Sequence, residues 1–242
     1  MNIRQNLVSS KKYNYLCPYS MKPTYITIHN TDNDASADNE VKNVINNSKQ
    51  TGFHVAVDNK EAVQAIPFNR NAWHAGDGSD GKGNRQSIAI EICYSKSGGN
   101  RFYKAVDNAV IVVADLAKKY NIPVKNIVQH NHWSGKNCPA RIRQEGLWDK
   151  FIKDVESAMK PQPTKPVFKV GPCNKVYTTT DNLNVRAGRG TEHKILGTLK
   201  KGTKVKVLYV HRDNVDGKGN KDLWGSIDYG KSVGYIHLDF VK

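Results

Sequence analysis

The run QHNHWSGKNCP, Gln129 to Pro139, sets two histidines, a lysine and a cysteine among small and polar neighbours. His130 closes the apolar run NIVQH, and Cys138 follows eight residues later in a loop that can fold back toward the strand end. His29 closes a second apolar run, TYITIH, and is followed by NTDND, so its imidazole belongs where a strand emerges into a loop. Two imidazoles and one thiolate suit zinc (Zn2+), whose borderline softness accepts nitrogen and sulfur. Three protein ligands also leave a fourth tetrahedral position open, as a catalytic rather than a structural site does. The plainer reading of each histidine alone is a strand-end side chain bonded to nearby backbone. His132 competes with His130 as a ligand, and the backbone is expected to turn at Asn131.

Glu91 lies in SIAIEICY, where Ile88, Ile90 and Ile92 share one face and Ala89, Glu91 and Cys93 the other. A carboxylate in so apolar a strand is costly without a partner. Glu91 is therefore a candidate general base with a raised pKa, against the plainer reading of an ion pair with a local lysine. Cys93 reads as a small buried apolar residue. Lys136 can direct its charge at a developing oxyanion. Taken alone, it reads slightly better as a solvated loop lysine.

These side chains need strand ends to hold them. Val, Ile, Tyr and Phe enrichment predicts strands at Thr24–His29, Phe53–Asp58, Ala62–Phe68, Ser87–Tyr94 and Asn126–His130. Phe102, Val106, Val110, Val113, Ala117 and Tyr120 recur at helical spacing, as do Trp148, Phe151, Ile152, Val155 and Met159. A shorter helix is predicted from about Ser36, a candidate N-cap, to Ser48. The fold class is α/β, a mixed central sheet flanked by helices. KPQPTKPVFKVGP, with its prolines and lysines, has linker composition. The expected domains are 1–160, a linker at 161–172, and a small β-barrel at 173–242 built from short β-rich pieces.

The 242 residues carry a formal charge of +15. Fifteen basic against seven acidic residues follow Lys160, an excess of +8 on the shorter part. Such a charge suits a polyanion: nucleic acid, anionic lipid or an anionic cell wall. With no Arg-rich or aromatic-basic recognition run, specific nucleic-acid binding is disfavoured. No apolar run approaches the roughly 18 to 20 residues of a membrane span, so no membrane insertion is expected. The start lacks a signal-peptide core, so synthesis in the cytoplasm is expected. Four scattered cysteines suggest no disulfide framework.

The motifs ITIHNT, FHVAVDN, NAWHAG, QSIAIEICY and HNHWSGKNCP together resemble the zinc-dependent N-acetylmuramoyl-L-alanine amidases of type 2, shared by phage endolysins and peptidoglycan recognition proteins. The resemblance implies zinc on His29, His130 and Cys138, with Glu91 as the catalytic carboxylate and Lys136 as the oxyanion lysine. His74 is expected near the substrate groove, and His54 to be structural or groove-lining. Phe53 stands where some relatives carry a tyrosine, which leaves proton transfer to Glu91. The implied reaction is hydrolysis of the amide between N-acetylmuramic acid and L-alanine of the stem peptide in bacterial peptidoglycan. LNVR, GTLKKG and VGYI resemble bacterial SH3-like wall-binding domains, whose lysines could also meet anionic wall polymers. The pairing suggests an endolysin held in the host cytoplasm until it reaches the wall. The rivals are a non-catalytic peptidoglycan binder, a wall cysteine peptidase using Cys93 or Cys138, and a basic nucleic-acid binder.

Overall fold

The structure is a computed structural model describing residues 1–46, 48–160, 166–212 and 222–242. The chain divides into two compact units, Met1–Lys160 and Pro161–Lys242. Of the expected linker, 161–165 lie outside the described residues, and its end is already strand from Gly171.

In the first unit the strands are β1 (Ile3–Gln5), β2 (Tyr25–Asn30), β3 (Val55–Val57), β4 (Ala62–Gln64), β5 (Ser87–Ile92) and β6 (Ile127–Gln129). The helices are α1 (Tyr13–Leu16), α2 (Ala37–Asn46), α3 (Lys82–Gln86), α4 (Gly99–Tyr120), α5 (Asn131–Ser134), α6 (Ala140–Gln144) and α7 (Trp148–Met159). The strands form one mixed sheet in the order β1-β4-β3-β5-β2-β6, parallel at every pairing except β3 with β4.

On β5, Ile88, Ala89, Ile90 and Ile92 are all fully buried, as a parallel strand covered on both faces requires. Helix α4 buries Phe102, Ala105, Ala109, Val112, Val113 and Leu116, a continuous apolar stripe. It begins one turn earlier than its apolar pattern. It ends at Asn121, whose left-handed backbone (φ 55°) returns its N–H to the Ala117 and Lys118 carbonyls. At the start of α2, the Ser36 hydroxyl accepts from the Asn39 N–H at 3.4 Å, the expected cap.

The second unit is all β: β7 (Gly171–Thr178), β8 (Leu183–Arg186), β9 (Ile195–Leu199), β10 (Lys204–Arg212), β11 (Leu223–Tyr229) and β12 (Ser232–His237). The strands pair antiparallel in the order β7-β10-β11-β12-β8-β9 over a core that includes Val185, Val207, Ile227 and Ile236.

His54 does not line a groove. It is fully buried between β5 and the loop after β4, where Nδ1 accepts from the Ala89 N–H at 2.9 Å and Nε2 donates to the Arg70 carbonyl at 2.9 Å. Both ring nitrogens are thus spent on backbone, and burial pushes the pKa down to about 4. Neutral His54 therefore contributes stability above pH ~6.5 that is lost as pH falls toward 4, about 3 kcal/mol for a shift of this size. Urea unfolding of the metal-free chain should show its midpoint falling across this window, and His54→Gln should flatten part of that slope. An unchanged slope in His54→Gln would assign the acid sensitivity to other groups.

Candidate active site

Three neighbouring strands end at the same sheet edge. β2 pairs in register with β5, setting His29 opposite Glu91, and with β6, after which His130 follows directly. His130 turns into α5, so the ladder stops where the sequence predicts a turn. Asn131 then latches the next loop: its side-chain amide donates to the Gly135 and Lys136 carbonyls at 2.9 and 3.0 Å, and its N–H donates to the Cys138 carbonyl at 3.0 Å. The latch brings Cys138 back over the strand ends.

The ligand atoms of His29, His130 and Cys138 all lie within 4.8 Å of one another, and all three side chains are buried. His29 Nδ1 is 3.7 Å from Cys138 Sγ. That matches the ~3.5 Å expected between nitrogen and sulfur ligands held ~2.0 and ~2.3 Å from one tetrahedral zinc. Among the described residues, His130 Nδ1 is buried without a partner, as is Glu91 Oε2. Buried polar atoms are normally satisfied, so two open valences meeting at a donor cluster suit a bound cation and its chemistry. The residues fit a zinc ion.

Burial dominates the electrostatics here. It lowers the pKa of His29 and His130, which favours the neutral imidazoles a metal needs. It raises the Cys138 thiol to about 11, with the Glu91 charge adding to the shift. A thiol so poised is a poor nucleophile by itself, yet a bound divalent cation would hold it as thiolate. Glu91 is pushed up to about 8, first by burial and then by the Glu40 charge, with Lys136 opposing. Its Oε1 lies 4.0 Å from His29 Nδ1. Cys93 is fully buried with its thiol pKa raised, which removes it as a peptidase nucleophile.

The cluster opens onto a groove of about 880 Å3 whose walls include Tyr19, Trp73, His74, Asn84, His130 and Lys136. Lys136 is exposed on this wall, with its charge felt at Glu91, His29 and His130. His74 does more than line the groove: its Nδ1 is 3.0 Å from His29 Nε2. His29 Nδ1 faces the cluster, so Nε2 carries the proton and donates it to His74. His132 is exposed and borders a separate depression with Ile127 and Trp148, which removes it from the cluster.

Asn84 escapes a sequence reading. Its side-chain oxygen accepts from the His74 and Ala75 N–H groups at 2.8 and 2.9 Å, and its amide donates to the Gly78 carbonyl at 2.9 Å. Asp77 in turn accepts from the Gly83 N–H at 2.6 Å, fixing the loop that carries His74. Gly83 permits this fold because a Cβ there would lie 2.8 Å from the Trp133 ring. The only sequence signal for this scaffold is the density of Gly, Asn and Asp in AGDGSDGKGN.

Comparison with known proteins identifies the families of the two units. A family model described as N-acetylmuramoyl-L-alanine amidase matches residues 19–141, and one described as bacterial SH3 domain matches residues 181–242. The N-acetylmuramoyl-L-alanine amidase CwlA of a Bacillus species is 51% identical over 186 residues, which cover 74% of this chain and 74% of the relative. Among solved structures, PlyL is 58% identical with a TM-score of 0.63, over 64% of this chain and 97% of that one. A mutant endolysin from Bacillus subtilis is 41% identical with a TM-score of 0.58, over 64% of this chain and 99% of that one. With half of its length matched by the family model and a curated relative alike over about three quarters of it, the chain belongs to the N-acetylmuramoyl-L-alanine amidase family.

Proposed function

We propose that this amidase is zinc-dependent and acts as an endolysin, with His29, His130 and Cys138 holding the metal and Glu91 and Lys136 carrying the chemistry. The observation that supports this most is the convergence of three ligand atoms within 4.8 Å beside a half-buried, partly unsatisfied carboxylate. Zinc in that position supplies Lewis-acid polarisation of the scissile carbonyl and eases ionisation of the attacking water. Glu91, raised toward neutral by burial, takes the proton from the attacking water and later delivers it to the leaving L-alanine amine. Lys136 offers its ammonium to the oxygen that becomes negative as the carbonyl turns tetrahedral. His74 holds the His29 ring by accepting its Nε2 proton, so that Nδ1 stays an acceptor toward the metal.

The second unit, matched as a bacterial SH3 domain and carrying an excess of +8 after Lys160, anchors the enzyme to peptidoglycan and draws it toward anionic wall polymers. Among the described residues no helix is long and apolar enough to cross a membrane. The endolysin reading places the protein in the host cytoplasm until it reaches the wall.

Mass spectrometry of digested peptidoglycan tests the reaction. New L-alanine amino termini on intact glycan strands are expected, abolished by chelator and restored by zinc; a cut inside the peptide would replace the amidase by a peptidase. Cys138→Ser should fold yet hold no zinc, and full activity in it would remove Cys138 from the metal site.

Glu91→Gln should keep zinc and lose a hundredfold or more in kcat, the usual scale of general acid–base catalysis at ~10²–10⁴. Lys136→Ala should lose about a hundredfold in kcat with little change in KM. Equal turnover in either variant would strike that residue from the mechanism. His74→Phe should weaken zinc affinity by about 10–100-fold, the range seen when a metal-bound histidine loses its outer partner. Unchanged affinity would confine His74 to the groove wall.

A further inference from the structure

A second cavity lies wholly within the β unit, apart from the metal cluster. It measures about 170 Å3, and its walls include Asn182, Asn184, Arg186, Trp224, His237 and Phe240. That is below the ~300–1,000 Å3 of pockets enclosing a drug-sized ligand, so it accepts one residue-sized group rather than a run of sugars.

Apart from the Thr191 hydroxyl, the side-chain acceptors around it are already used by the fold. Asn182 Oδ1 accepts from the Lys201 N–H at 3.0 Å, and Asn184 Oδ1 accepts from the Thr198 hydroxyl at 2.9 Å. His237 Nδ1 accepts from the Asp239 N–H at 3.3 Å, and its Nε2 lies 3.5 Å from Asp222 Oδ2. Arg186 spends one terminal nitrogen on the Thr191 and His193 carbonyls at 2.6 and 2.9 Å.

What is left over is almost entirely donors. Trp224 is 2% exposed, and its Nε1 is buried without a hydrogen-bond partner among the described residues. The amide nitrogens of Asn182 and Asn184 and the rest of the Arg186 guanidinium have no partner among the described residues. An orphaned buried indole N–H is a cost that a bound acceptor would remove. Phe240, 44% exposed, adds an apolar flank beside the donors. Several N–H donors around one guanidinium form a receptor for a carboxylate, whose two oxygens accept up to four hydrogen bonds.

We infer that this cavity is a binding site for the free carboxylate end of a wall peptide, with the terminal residue's small side chain against Phe240. The inference rests on the peptidoglycan reading above and adds where, and by which chemical group, the β unit engages the wall. A stem peptide that keeps its terminal carboxylate would be engaged there, and one whose carboxylate has been spent as the donor in a cross-linking amide would not.

The test is NMR of the full zinc-loaded chain labelled with 15N, following the indole N–H of Trp224, assigned by its loss in Trp224→Phe. The probes are a synthetic peptide ending in D-alanyl-D-alanine, the same peptide as its C-terminal amide, and a glycerol phosphate oligomer. The free acid should shift the Trp224 signal downfield to saturation; the amide and the phosphate oligomer should not. Asn182→Asp with Asn184→Asp keeps both side-chain acceptors but replaces the donating amides by repelling charge, and should weaken binding at least tenfold. Hydrolysis of a soluble N-acetylmuramoyl peptide should stay unchanged in that double variant, so loss of binding with intact hydrolysis separates this site from the amidase reading. No shift with the free acid, or an equal shift with the amide or the phosphate oligomer, would overturn the inference.

Discussion

The active site depends on the in-register parallel pairing of β2 with β5 and β6. It brings His29 level with Glu91 and carries the chain to His130 at the same sheet edge. Because a one-residue slip would turn every side chain of β2 to the opposite face, the register that buries Ile26 and Ile28 also fixes where His29 points. Burial then sets the chemistry. The same apolar surroundings keep the histidines neutral, hold the thiol protonated until a cation arrives, and lift the Glu91 carboxyl toward neutral pH.

Around that edge the supporting loops do different physical work. The Asn131 latch draws Cys138 over the strand ends, while Asn84 and Asp77 fix the chain carrying His74 through hydrogen bonds to backbone N–H groups. The cluster is thereby preorganised: His29 Nδ1 and Cys138 Sγ already stand near the separation that a shared zinc ion demands. Lys136 is exposed on the groove wall, while the three ligand side chains are buried.

His29 and His130 stood out in the sequence as polar residues ending apolar runs, and Glu91 as an acid inside one, whereas Cys138 lies in a polar loop and, like the choice of His130 over His132, was singled out by the family resemblance. The long helices were legible by pattern too, since α4 and α7 carry a repeating apolar stripe. The contact of His74 with His29 was not, because it depends on a loop held by Asn84 from ten residues away. Nor was the sealing of His54, whose partners Ala89 and Arg70 are brought to it only by sheet pairing. The short α5 and α6 contain too few residues to show a period, and β1 is a three-residue edge strand defined by its pairing with β4. In the second unit the alternation of apolar residues marked the strands, but the donor-lined cavity arises from side chains on β8, β11 and β12 and in the turns beside them.

The proposal on which the chemistry turns is a zinc ion shared by two imidazoles and one thiolate at the strand ends. X-ray absorption at the zinc edge of the purified 242-residue chain tests it most directly. One equivalent of zinc is expected, with two nitrogen scatterers at ~2.0–2.1 Å and one sulfur at ~2.3 Å, the sulfur lost in Cys138→Ser. A zinc spectrum with no sulfur in the native chain, or protein fully active without metal, would contradict it.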